Sequence, residues 1–423
     1  MTGKIAAKRT AGTVEDVIDN RTESVMQAAS SHKKSGSRMA NLELLRCIAM
    51  MMVVVLHYLG KGEILPDLTG PGMNVTGAAA WLLESFCIVA VNVYMLISGY
   101  FLSTSSFKLS RLVKLYLQVW VYSVGIGALS MITGVMPAQE VTVHDLLTMV
   151  LPVSMGHYWF LSAYIFMYAF LPFMGGAVQK LSRKQMQVAL GGLLLFFCVL
   201  KSVLPVRLEL DNLGYDCIWY LCVFLTAAYI RRFGVGVFDK LRNSILLYVG
   251  SGLGIFGLTF ALYGIYLKTG SLGRIVKIGL EYNHILPYLA AIGLFGIFLH
   301  VKPCPKMSVV ICKIAPYTLG VYLLHENIGL RYAWQSRLGA DRIGNVAGLI
   351  VWTLIAVLVV FAAGILLDML RAAVMKGLHK LLMKLGLYRK LVGGVEAADR
   401  LFTTEAANTA AEAEACGYEK GQK

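Results

Sequence analysis

Charged side chains are scarce in this chain. Its 24 acidic and 39 basic residues make up 15% of 423, against 57% hydrophobic residues. A soluble domain of that length could not cover so much apolar surface, and a mean hydropathy of +0.66 gives the same reading. Paired cysteines are lacking as well. The eight cysteines, at positions 47, 87, 198, 217, 222, 304, 312 and 416, include no Cys-x-x-Cys pair. Their scatter argues against a zinc site or a disulfide framework, and most read as small apolar packing residues. No basic stretch is interleaved with aromatics, so the net charge of +15 does not point to nucleic acid. There is no soluble catalytic domain and no short repeat. Any chemistry is expected inside a membrane bundle.

The fold expected is an all-α integral membrane protein, a bundle of about ten transmembrane helices of roughly 20 residues each. The apolar runs fall near 42–60, 77–102, 112–134, 158–178, 188–204, 215–230, 244–266, 283–301, 308–330 and 344–370. With both termini cytoplasmic, the tails and inner loops hold 29 of the 39 Lys and Arg and the outer loops hold 9, as the positive-inside rule favours. Outer loops carrying Lys268, Arg274 and Lys277, or Arg331, Arg337 and Arg342, are exceptions that suggest something anionic. Residues 1–40 have no apolar core of a signal peptide and read as a disordered cytoplasmic tail, 41–374 as the transmembrane domain. Residues 375–423 read as a basic amphipathic helix over 375–391 followed by a disordered Ala/Glu-rich end.

Two ionisable residues stand on the first span. Arg46 and His57 are separated by ten residues, and eleven helical steps of roughly 100° return to within about 20° of the start. Both therefore share one helix face, roughly 16 Å apart along the axis. Burying such groups in a bilayer costs roughly 3 kcal/mol each, which makes the pair a functional candidate. The plainer alternative is that Arg46 snorkels to the inner headgroups and His57 reaches the outer interface.

Four pieces, in order, carry a resemblance: Arg46-x10-His57, the second-span run Val91-Asn-Val-Tyr-Met-Leu-Ile-Ser-Gly-Tyr-Phe-Leu102, His157-Tyr-Trp-Phe-Leu161, and Tyr322-Leu-Leu-His-Glu326. As a set they resemble the membrane acyltransferase family 3 proteins over roughly residues 41–370. The family's arginine-rich motif with a following proline is replaced here by Lys108-Leu-Ser-Arg111-Leu-Val-Lys114-Leu-Tyr116. The resemblance implies an acyl-CoA-dependent O-acyltransferase that moves an acyl group, commonly acetyl from acetyl-CoA, to a hydroxyl of a surface or exported glycan. The expected partners are acyl-CoA as co-substrate, a glycan or lipid-linked saccharide, and the bilayer, with homo-oligomerisation left open. No permanently bound cofactor and no metal are expected. The setting implied is multi-pass in a bacterial plasma membrane. A transporter or flippase is the rival, although residues 41–205 and 215–370 show no correspondence of the kind inverted repeats would give.

The residues make chemical sense of that reading. A sugar hydroxyl needs a base, and imidazole, with an ordinary pKa near 6.5, suits the task, so His57 is the candidate, either as general base or as acyl acceptor. Glu84, at a similar depth, is a candidate to orient the imidazole, or else a buried structural partner. Arg46, Arg111 and Lys114 lie at the inner boundary, where guanidinium and ammonium groups suit CoA phosphates; basic residues there also follow from topology alone. Ser98, Gly99 and Tyr100 form a small-residue break where a pantetheine arm could approach, or where helices pack. His157, Trp159, His325 and Glu326 are placed at the outer mouth as acceptor-binding candidates, with the aromatic belt as the alternative for Trp159 and ordinary interfacial placement for His157. Asn92 reads as an interhelical hydrogen-bonding residue.

Overall fold

The structure, a computed structural model, describes residues 39–204 and 211–402, and every regular element among them is helical. Of the two expected tails, residues 1–38 and 403–423 lie outside the described residues. The chain runs through α1 (Ala40–Lys61), α2 (Val75–Cys87), α3 (Ala90–Leu102), α4 (Leu109–Ile132), α5 (Val143–Val150), α6 (Trp159–Ala169) and α7 (Leu171–Lys180). It continues through α8 (Arg183–Leu194, prolonged by a π turn to Val203), α9 (Cys217–Phe233), α10 (Leu241–Thr269), α11 (Ile285–His300), α12 (Pro305–Ile314), α13 (Thr318–His325) and α14 (Val346–Leu382). Among the described residues, eight helical stretches are long and apolar enough to cross a membrane, and nine if α6 and α7, bent by 61°, count as one. Helix α9, with 17 residues, sits at the lower limit of a spanning helix and occupies the remaining expected segment.

The breaks have local causes. Pro172 opens α7, and Pro316 lies in the 3₁₀ turn that separates α12 from α13, because proline removes an amide donor and crowds the preceding turn. Asn74, Asp216 and Asn345 cap α2, α9 and α14 by accepting from Gly77, Trp219 and Gly348 amides. With no proline in its path, α14 runs unbroken to Leu382, and a second helix follows at 386–402.

Burial separates core from rim. In α1 and in Val75–Leu102, 72% of the apolar window is buried, whereas α10 shows 22% and Arg183–Val203 shows 17%. The first two form the axis of the bundle; the others present most of their apolar surface outward, as lipid-facing helices do. Where helices approach closely, small residues permit it: a Cβ on Gly364 would lie 2.4 Å from Val321 Cα, so α14 packs directly on α13. That contact fixes the helix whose C-terminus carries His325.

Candidate active site

Helix α1 runs through the axis with His57 near one end, and α13 brings His325 and Glu326 to the same place. His57 Nδ1 lies 2.8 Å from His325 Nε2 and 3.3 Å from Glu326 Oε1. Lys61, one turn beyond His57 on the same face, pairs its ammonium with Glu326 Oε1. The hydrogen bonds assign the tautomers. His325 Nδ1 is 2.6 Å from the Val321 carbonyl, which can only accept, so that nitrogen carries the proton and a neutral His325 presents a bare Nε2. His57 Nδ1 must then donate, to His325 Nε2 and toward Glu326. The consequence is a lone pair on His57 Nε2, which bonds to no group among the described residues. Its side chain retains 20% exposure and lines a narrow cavity.

That cavity, of about 40 Å³, is bounded chiefly by Met50, Val53, Trp159, Phe160, Tyr282 and Tyr322 beside His57. A wider one, of about 260 Å³, contains Arg46, Ser98, Arg111, Tyr164 and Tyr168. The two share Tyr94, Phe160 and Leu319 as walls. Arg46, Met50, Val53 and His57, at steps of four, three and four, form one stripe of α1 along both cavities. Arg46 pairs with Glu43 at 2.7 Å and accepts Tyr94 Oη at its carbonyl at 3.0 Å.

Several sequence expectations meet a different geometry. Glu84 is not the carboxylate at His57; that group is Glu326. The Glu84 Oε2 is buried with no hydrogen-bond partner among the described residues. Similar depth on two helices does not make two side chains face each other. Of Ser98, Gly99 and Tyr100, Ser98 alone lines the wide cavity, because three consecutive helical residues fan over roughly 200°. Gly99 instead lets α3 pack on α9, where a Cβ would lie 2.9 Å from Ala227 Cβ and 3.0 Å from Phe224 Cα. Tyr100 packs against Phe295 and under the Arg231 guanidinium. Arg111 faces the cavity with Leu112 and Leu115, while Lys114 is exposed and turned about 60° to the other side of that face.

His157 is equally committed elsewhere. Its Nδ1 meets Ser123 Oγ at 2.8 Å, and its Nε2 accepts from Ile328 N–H at 2.9 Å, so both ring nitrogens are used. Burial, then the Arg331 charge, pushes its pKa down to about 3, which keeps it neutral. It braces the turn after Glu326 together with Arg331, whose Nη2 donates to the His157 and Glu326 carbonyls at 3.1 Å each. Arg331 is thus occupied within the site. Trp159 stacks on Tyr282 with centroids 5.6 Å apart and touches Tyr215 at 4.4 Å. Asn92 makes an interhelical bond, accepting from Trp219 Nε1 at 2.9 Å, and also donates to the carbonyl of Tyr282 in a loop at 2.8 Å.

Sequence reasoning missed Lys61, Tyr94, Tyr282 and the structural part of Arg331. Two were within reach. Lys61 is four residues from His57, and Tyr94 is four from Ser98, so each shares its neighbour's face. Tyr282 and Arg331 arrive from loops, which no periodicity locates. His57, His325 and Glu326 have donor atoms within 4.8 Å of one another, close enough to share a cation. However, two nitrogens on one tetrahedral zinc would be about 3.3 Å apart. The 2.8 Å separation here is a hydrogen bond, and Lys61 already supplies the positive charge at Glu326.

A half-buried imidazole with a free lone pair, a carboxylate behind it and a neighbouring cavity lined by arginines suits group transfer better than transport. Residues 39–369 match the acyltransferase domain of acyltransferase family 3, and the chain belongs to that family of membrane acyltransferases. No curated protein and no solved structure matches it.

Proposed function

We propose that this multi-pass membrane acyltransferase transfers an acetyl or other short acyl group from acyl-CoA to a hydroxyl of a glycan or lipid-linked saccharide at a bacterial plasma membrane. His57 is the general base. As the acceptor oxygen attacks the thioester carbonyl, its proton passes to His57 Nε2. Glu326, held by Lys61, stabilises the resulting imidazolium. Collapse of the tetrahedral intermediate breaks the C–S bond, and the CoA thiolate recovers the proton from His57. The single observation that carries this reading is the hydrogen-bond chain Val321 O, His325, His57, which leaves Nε2 unprotonated on His57, a residue that lines the cavity.

The donor reading rests on the wider cavity. Arg46 and Arg111 both line it, and guanidinium groups bind phosphates bidentately. The roughly 16 Å between Arg46 and His57 along α1 matches the reach of a pantetheine arm. On the acceptor side, Trp159 and Tyr282 flank His57 with aromatic faces that suit sugar rings. The charge asymmetry favours cytosolic donor and external acceptor. Purified protein in nanodiscs, given acetyl-labelled acetyl-CoA and a panel of glycans, should label at least one glycan at a hydroxyl. Hydrolysis of the thioester at wild-type rates with no glycan labelled would overturn the acceptor assignment.

A further inference from the structure

Helix α4 carries Arg111 into the wider cavity in its first turn, yet its start is poorly provided for. The first four N–H groups of a helix lack intrahelical acceptors, and their positive end disfavours a cation nearby. Lys108 at the cap position makes no side-chain hydrogen bond, and the first turn contains no acidic residue. The acceptor comes from the far end of the chain: Asp399 Oδ1 accepts from Ser110 N–H at 3.1 Å, 289 residues away in sequence. Asp399 belongs to the helix at 386–402, here α15, which lies beyond the residues shared with the family.

A second contact joins the same two segments. Phe402 of α15 meets Phe107 edge-on with centroids 4.9 Å apart, and Phe107 meets Tyr168 at 5.2 Å. Tyr168 lines the cavity, and its hydroxyl accepts from Lys108 N–H at 3.1 Å and donates to the Lys108 carbonyl at 3.2 Å. An N-cap acceptor and an aromatic chain thus connect α15 to two cavity walls.

We propose that α15 is a positioning segment in which Asp399 caps α4 from a distance and thereby sets Arg111 toward the phosphates of the donor. The proposal rests on the acyl-CoA reading above, and its test separates the two. Hydrogen exchange at the Leu109–Leu112 amides reports the cap, and titration with acetyl-CoA and with acetyl-pantetheine reports the donor. Asp399→Ala should speed exchange about fivefold and weaken acetyl-CoA binding by a similar factor, with acetyl-pantetheine unchanged. Asp399→Asn, which keeps a good capping side chain, should restore both, and Phe402→Ala should reproduce part of the loss. Unchanged exchange in Asp399→Ala would overturn the cap. Faster exchange with undiminished acetyl-CoA affinity would overturn the positioning of Arg111. If wild-type protein binds no acyl-CoA, the donor reading fails, and exchange still decides the cap.

Discussion

At one end of α1, His57 is held by residues 268 and 269 positions away in sequence, His325 and Glu326, with Lys61 closing the group from its own helix. At the other end, Arg46 pairs with Glu43, three residues off, and opens onto a cavity of about 260 Å³ rather than the 40 Å³ beside His57. The first arrangement fixes proton positions, which acid–base chemistry requires. The second leaves room beside two guanidinium groups, Arg46 and Arg111, which suits a large anionic ligand. On the function proposed above, one helix would serve rigid chemistry and adaptable binding.

Breaking the tight end should cost most. His57→Ala is expected to reduce acyl transfer by at least about 100-fold with acetyl-CoA binding retained, read by turnover and titration of the same preparation. Glu326→Gln keeps the shape and removes the charge that favours the imidazolium. It should lower kcat by about tenfold or more with little change in KM for the donor, and kinetics at saturating acceptor check this.

At the roomy end the losses should be smaller and appear in binding. Arg111→Ala should weaken acetyl-CoA about tenfold, as loss of a charge-assisted phosphate contact does. Lys114→Ala, three residues along but outside the cavity, should stay within about twofold. Equal losses for the two variants would mean that net positive charge at this boundary, not cavity geometry, governs the donor.

How legible this was depends on whether the signal was periodic. The helices followed from apolar runs, and the Arg46–His57 stripe from the helical repeat on a single element. Failures came where position depends on a second element. Glu84 sits at a plausible depth, yet its Oε2 is buried with no hydrogen-bond partner among the described residues, whereas the carboxylate at His57 comes from the end of α13. His157, His325 and Glu326 looked alike as outer-mouth polar residues. Only the fold shows that His157 spends both nitrogens bracing a turn, while the other two reach His57. The cap on α4 could not be read at all, since Asp399 and Ser110 are joined by no local pattern.

Whether the two ends of α1 divide the work in this way can be decided by one kinetic comparison. Steady-state transfer by wild type, His57→Ala and Arg111→Ala would be measured with acetyl-CoA and with acetyl-pantetheine, which lacks the nucleotide phosphates. His57→Ala should lose activity equally with both donors, and Arg111→Ala should be impaired with acetyl-CoA alone. Near-normal turnover by a properly inserted His57→Ala variant, or equal impairment of Arg111→Ala with both donors, would contradict that division.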